Sequence, residues 1–166
     1  EAGPAVRLGF LLVRGLSEEG AKRIVAARTQ GALQSADDLA HRAALNRHDL
    51  KCLAAAGALQ AISGHRHEAQ WAVAGVDTRR HILRGMPIAE TPVILEPPTE
   101  GENLVADYAA TGLTLGRHPL ALLRQRLSHM RFSTAAELRS LPGGRRVRTA
   151  GIVTGRQRPD TASGAV

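Results

Sequence analysis

At 166 residues the chain can form one ordinary domain or two small ones, and its 43% hydrophobic content is Ala, Leu and Val with only 2% aromatic. A single cysteine excludes an internal disulfide framework and a multi-thiolate metal site, and no run approaches the ~18 apolar residues of a membrane span. The net charge of +7 is uneven: residues 1–116 carry twelve Lys/Arg against thirteen Asp/Glu, whereas 117–166 carry ten Arg against two acids. Arginine makes bidentate contacts with phosphate, so the tail reads as a surface for a polyanion, with a solvated basic face as the plainer alternative.

Scarce β-branched and aromatic residues favour helix over sheet. Residues 5–62 show dense helical periodicity with short polar breaks. Ser17 before Glu18 and Glu19 predicts a helix to about Arg28, with acids at its positive end. Ser35 leads a short helix to about Ala43, and Asn46 leads another ending near Gly57, a suitable C-terminal glycine. Cys52 falls inside this helix as a small packing residue. His65, His67 and Glu68 lack the further converging ligands a metal site needs and read as a surface helix start. Trp71 is expected to anchor the helix that follows.

Pro87, Pro92, Pro97 and Pro98 make 86–98 an extended linker. Thr99 with Glu102 and Thr134 with Glu137 fit capping boxes, Gly112 stops the first of these helices, and His118-Pro119 starts another between them. Within the first, Tyr108 is expected in the core and Asp107 on the surface, because neighbours on a helix point about 100° apart. Leu141 to Arg145 is a turn; it lacks the Lys-Ser/Thr ending of a phosphate loop. Val147 to Thr154 has strand character, but one strand cannot close a barrel.

The informative stretch is 11–25. It reads as helix, a tight hairpin Gly15-Leu16-Ser17, then helix, with Leu12, Leu16, Ala21, Ile24 and Val25 closing a small core. Gly15 supplies a turn conformation that other residues resist, and the outward amides with the helix N-terminus form an anion site that reads no bases. A second copy follows 29 residues later around Ala44-Leu45-Asn46, with Leu39, Ala43, Leu45, Leu50 and Leu53. Glu18 and Glu19 would repel a phosphate at the first hairpin. The second carries Arg47, His48 and Lys51 instead and is expected to make the stronger contact. The alternative is a plain helical bundle with tight turns.

These residues resemble the tandem helix-hairpin-helix region of bacterial C-family DNA polymerases. The resemblance rests on Val13-Arg14-Gly15-Leu16-Ser17-Glu18-Glu19, Arg23-Ile24-Val25-Ala26-Ala27-Arg28 and Leu53-Ala54-Ala55-Ala56-Gly57-Ala58-Leu59. Arg66 to Trp71, Asp107 to Leu115, Arg117-His118-Pro119-Leu120 and Gly151 to Pro159 narrow it to the error-prone branch, the alternative polymerase III alpha subunit. Ser17 and Asn46 stand where the general motif has its second hairpin glycine. The resemblance implies a segment after the catalytic palm and fingers that grips newly made duplex and ends at the start of an OB-fold. The family's metal-binding aspartates lie in the palm, and nothing here matches them.

The expected fold is therefore mainly α: a tandem helix-hairpin-helix domain over 1–85, a Pro-rich linker over 86–98, a helical connector over 99–142, and the first strand or strands of a truncated OB-fold over 143–166. No catalytic or metal-binding residue is expected. DNA contact is expected from Gly15, Leu16 and Ser17, from Asn46, Arg47, His48 and Lys51, and from Arg145, Arg146, Arg148, Arg156 and Arg158. Without aromatic platforms, the basic tail should bind single strands poorly. By resemblance, the intact protein is a translesion polymerase of replication and repair that uses Mg2+ and deoxynucleoside triphosphates on a primer-template. Its helpers are mutagenesis-complex adaptor proteins and, through them, the sliding clamp. A cytoplasmic location follows from the absence of a signal peptide or span. The rivals are a free-standing hairpin protein of DNA binding or repair scaffolding, and a structural helical module that binds protein.

Overall fold

A computed structural model describes residues 7–77 and 93–156, which fall in two compact units divided between Gly116 and Arg117. In the first, a 3-10 turn (Phe10–Leu12) precedes α1 (Glu18–Thr29), α2 (Ala36–Arg42), α3 (Arg47–Ala55), α4 (Gln60–Ser63), α5 (Arg66–Gly75) and α6 (Glu100–Thr111). In the second stand α7 (Pro119–His129) and α8 (Ala135–Ser140). The predicted caps all form: Ser17, Ser35 and Asn46 each accept from the amide three residues on, and Thr99–Glu102 and Thr134–Glu137 are reciprocal boxes. Gly112 closes α6 with φ 79°, and Pro119 opens α7.

The helix expected before Gly15 is only the 3-10 turn. Gly9 is extended and Gly15 turns with φ 81°, which leaves too few residues between them to nucleate an α-helix. The core forms where α3 packs on α5, α2 meets α1 and α5, and α6 lies over α3. Leu39, Ala43, Leu45, Leu50 and Leu53 of the second hairpin are all buried, as their spacing predicts. In α1 the buried stripe is Gly20, Ile24 and Ala27, so Val25, about 100° around the helix, is exposed and not a core residue. The same geometry corrects the reading of Trp71. Helix α5 buries Arg66, Ala69 and Val73, and Trp71 stands off that stripe at 59% exposure. Leu8, Phe10 and Leu12 border an open apolar cleft of about 960 Å³ over this core.

Helix α6 is tied to the hairpins by polar contacts. Arg66 on α5, only 5% exposed, reaches Asp107 Oδ1 at 2.5 Å, while Thr114 donates to Asp107 Oδ2 at 2.7 Å. Arg14 donates from its amide to the Ala110 carbonyl at 2.8 Å and from its guanidinium to the Ala109 carbonyl, meeting the negative end of α6. Asp107 is thus a paired, half-buried group and Tyr108 is exposed, the reverse of the sequence expectation. A buried guanidinium needs a carboxylate more than this lightly packed helix needs a phenol. His65 does start α5, in a capping box with Glu68; His65 and His67 also hydrogen-bond the Leu95 and Glu96 carbonyls. The rest of the proline-rich stretch, 86–92, lies outside the described residues.

In the second unit no described residue is buried. The strand expected over Val147 to Thr154 is not formed: among the described residues there is no strand, only an isolated parallel bridge between Ser133 and Thr149. A ladder needs a partner with matching donors and acceptors, and the Ser133 amide, donating to the Arg148 carbonyl at 2.8 Å, is most of what this segment finds. Leu141 to Gly144 makes the predicted turn, with Gly144 at φ 81°.

Two outcomes follow from these contacts. Asp107→Ala strands the Arg66 charge in the interior and should cost about 3–5 kcal/mol by urea denaturation, whereas Tyr108→Ala should cost far less. The Glu102 and Glu137 carboxylates are held below their ordinary value of 4.5 by bonds from the Thr99 and Thr134 backbones and then their hydroxyls. Their contribution is present above that value and is lost as pH falls through the lowered one. Measured against the intrinsic exchange rate at each pH, amide protection in the first turns of α6 and α8 should therefore fall on acidification, and Glu137→Gln should abolish that fall at α8.

Candidate nucleic-acid interface

The two hairpins are built alike and finished differently. In the first, Gly15 turns the chain with φ 81°, and Leu16 packs inward against the core. Ser17 then caps α1, accepting from the Gly20 amide at 3.0 Å. In the second, Ala44 makes the turn with φ 46°, Leu45 is buried, and Asn46 caps α3 through the Asp49 amide at 2.7 Å. A residue with a β-carbon in this left-handed region is costly, and the turn is held by Ala44 and Leu45 amides bonded to the His41 and Ala40 carbonyls.

A buried carboxylate joins them. Asp49, in the first turn of α3, is 1% exposed and accepts from the Ser17 amide at 3.0 Å and the Ser17 hydroxyl at 2.8 Å. Gly20 makes room for it: a β-carbon there would lie 2.7 Å from Asp49 Oδ2. His48 adds a second tie, its Nε2 3.0 Å from the Gly15 carbonyl. A β-carbon on Gly15 would come within 3.0 Å of Cys52 Sγ, so this glycine serves both the turn and the close approach of α3. Burial, and then the Asp49 charge, push the Cys52 thiol above its ordinary range, which leaves it a packing group rather than a nucleophile.

The outward faces carry opposite charge. On α1, Glu18 and Glu19 are exposed and paired with Lys22 at 2.9 and 3.2 Å. At the start of α3, Asn46, Arg47, His48 and Lys51 are exposed, and Arg47 makes a 3.4 Å bond to the Val76 carbonyl. Gly15, Ser17 and His48 are exposed but tied to one another's hairpin by hydrogen bonds, Leu16 is half-buried, and Asn46, Arg47 and Lys51 face solvent. In the second unit, Arg145, Arg146, Arg148 and Arg156 are exposed, and Arg148 stacks on the Phe132 ring at 5.1 Å. Arg158 lies outside the described residues. Among the described residues, no three His, Cys, Asp or Glu side chains converge as a metal site.

Asp49 and Gly20 were not legible as a pair in the sequence. Gly20 was the available signal. A glycine in the first turn of a helix gives up about 1 kcal/mol relative to alanine, which marks a place where something must come close.

Comparison with known proteins places this geometry. Residues 1–69 match the helix-hairpin-helix motif family. The chain is 53% identical over 165 residues to the error-prone DNA polymerase of Aromatoleum aromaticum, covering 99% of this chain and 15% of that protein. It is 53% identical over 163 residues to that of Azoarcus sp. strain BH72, again 15% of the relative, and 50% identical over 161 residues to that of Alkalilimnicola ehrlichii, 16% of the relative. No solved structure matches. The chain is thus homologous over nearly all its length to a segment of proteins named error-prone DNA polymerase, as its motifs predict, and spans less than a fifth of their length.

The Asp49–Ser17 tie should behave as one unit. Asp49→Asn and Ser17→Ala should each lower stability by about 1–3 kcal/mol in chemical denaturation, with the double variant well short of their sum. Additive losses would mean the two side chains act separately. Gly20→Ala should cost about 1–3 kcal/mol despite alanine's better helix propensity, because the new methyl displaces the carboxylate.

Proposed function

We propose that the chain is the duplex-holding segment of an error-prone DNA polymerase, with no catalytic residue of its own. The observation that carries this is the second hairpin: the first turn of α3 presents Asn46, Arg47 and Lys51 to solvent, in a fold matched by the helix-hairpin-helix family. Amides at a helix N-terminus and two cations hold a phosphate without reading a base, which suits an enzyme that must grip any sequence. The arginines at 145, 146, 148, 156 and 158 add an electrostatic contact of their own to DNA.

The homology to proteins named error-prone polymerase supports the wider assignment. In the intact protein, nucleotidyl transfer from deoxynucleoside triphosphates, with magnesium, belongs to sequence outside this chain. Synthesis past damage in DNA repair, partnership with mutagenesis adaptors and the sliding clamp, and a cytoplasmic location are part of the same reading. No helix among the described residues is long and apolar enough to cross a membrane.

Fluorescence anisotropy with a labelled duplex at a series of salt concentrations tests it. The chain should bind with a slope set by the number of phosphates neutralised, about −0.9 for each. Arg47→Glu with Lys51→Glu should weaken binding and flatten the slope by about one per cation removed. An unchanged slope would refute the assignment to the second hairpin. Binding without any salt dependence, or none, would favour a module that binds protein.

A further inference from the structure

The buried Asp49 carboxylate makes the two hairpins unequal, and its position gives the inequality a cause. A hairpin binds phosphate through outward amides at the start of its second helix, where the backbone carries partial positive charge. At the first hairpin the Ser17 amide is already spent on Asp49 Oδ1 at 3.0 Å, and the Ser17 hydroxyl on Oδ2 at 2.8 Å. The Leu16 amide bonds the Val13 carbonyl and the Gly20 amide bonds the Ser17 hydroxyl. The carboxylate is 1% exposed, so it holds the Ser17 donors from the inner side of the turn. Glu18 and Glu19, which share Lys22, then leave one net exposed negative charge over the same turn.

At the second hairpin the Leu45 and Asp49 amides are bonded in the same way, to the Ala40 carbonyl and the Asn46 side chain, so what sets the first apart is the carboxylate on the Ser17 amide and hydroxyl. The Asn46 side chain, a neutral group, caps the Asp49 amide, and the exposed charges nearby are Arg47 and Lys51. Asp49 belongs to both sites at once: its amide is capped by one hairpin and its carboxylate fills the other. His48, from the same turn, holds the Gly15 carbonyl.

We infer that the Asp49 carboxylate, buried under the Ser17 turn, is a built-in anion that takes the place of a DNA phosphate at the first hairpin. That hairpin is an anchor which positions the second, and of the two hairpins the second alone touches the duplex. The inference rests on the duplex-binding reading above and adds to it which hairpin is closed, and by what. Asp49 acts here as a positioning residue, through the hairpin it holds.

The test uses the full chain with the photo-crosslinker p-benzoylphenylalanine in place of Glu18 or of Lys51, each saturated with a labelled 20-base-pair duplex, about two helical turns long. Crosslinking should occur from position 51 and stay at background from position 18. Equal crosslinking from both overturns the inference even though duplex binding stands. A chain that binds no duplex in the anisotropy assay fails the underlying reading instead. A second arm removes the built-in charge with Asp49→Asn, Glu18→Gln and Glu19→Gln together. Once circular dichroism shows that this variant is folded, its salt slope should steepen by about one phosphate over the wild type. A folded triple variant with the wild-type slope would mean that internal charge is not what closes the first hairpin, and would overturn the assignment. The wild-type crosslinking pattern decides the question even if that variant does not fold.

Discussion

A carboxylate sealed from water must be repaid in hydrogen bonds, and Asp49 sets the terms on which the helical unit assembles. Stripping its hydration costs several kcal/mol, so α3 is fixed where the Ser17 amide and hydroxyl can meet both oxygens. That requirement propagates. The near approach excludes any side chain at Gly20, and the turn that presents Ser17 needs Gly15 in a left-handed conformation beneath Cys52 and His48. With α3 so placed, Leu50 and Leu53 fall into the centre of the core, and α5 and α6 close over them. A core with so few aromatic rings has little large-side-chain complementarity to define its register. Here directional polar bonds do part of that work, from Asp49 on α3 and from the Arg66–Asp107 pair between α5 and α6.

Local chemistry was legible in the sequence wherever it acts over three or four residues. Ser17, Ser35, Asn46, Thr99 and Thr134 announce their helices because a cap needs only its own first turn, and the leucines of the second hairpin announce its core through their spacing. What escaped depends on partners far along the chain. Asp107 looked like a surface acid because Arg66, 41 residues away, is the group that draws it inward. Val25 and Trp71 looked like core because they are apolar, but each helix buries a narrow stripe, and the neighbouring helices decide which one. The phosphate-facing residues were legible as charges on α3; the internal tie that silences the first hairpin was not, since nothing in the spacing of Ser17 and Asp49 declares a contact 32 residues apart.

The boundary between the two units coincides with the change in charge. Residues up to Gly116 are nearly neutral and hold every buried side chain described, while those beyond carry the arginine excess and, among the described residues, bury none. Self-repulsion opposes compaction of a strongly basic segment, and its apolar groups, Val147, Ile152 and Val153 among them, remain exposed. Shape comes from the first unit and charge from the second. A polyanion would relieve the repulsion of the second while leaving the packing of the first untouched.

The placement of Trp71 bears on how this molecule can be watched. It is the chain's single tryptophan, and it sits on the outer face of α5 rather than in the core. Its indole is already wet in the folded protein, so its emission barely registers the loss of the packed interior. Intrinsic fluorescence would make a stable protein look featureless during denaturation, and backbone signals are the sounder record of its unfolding. The same indole is a native reporter for anything that settles against the outside of α5, with no second tryptophan to blur its signal.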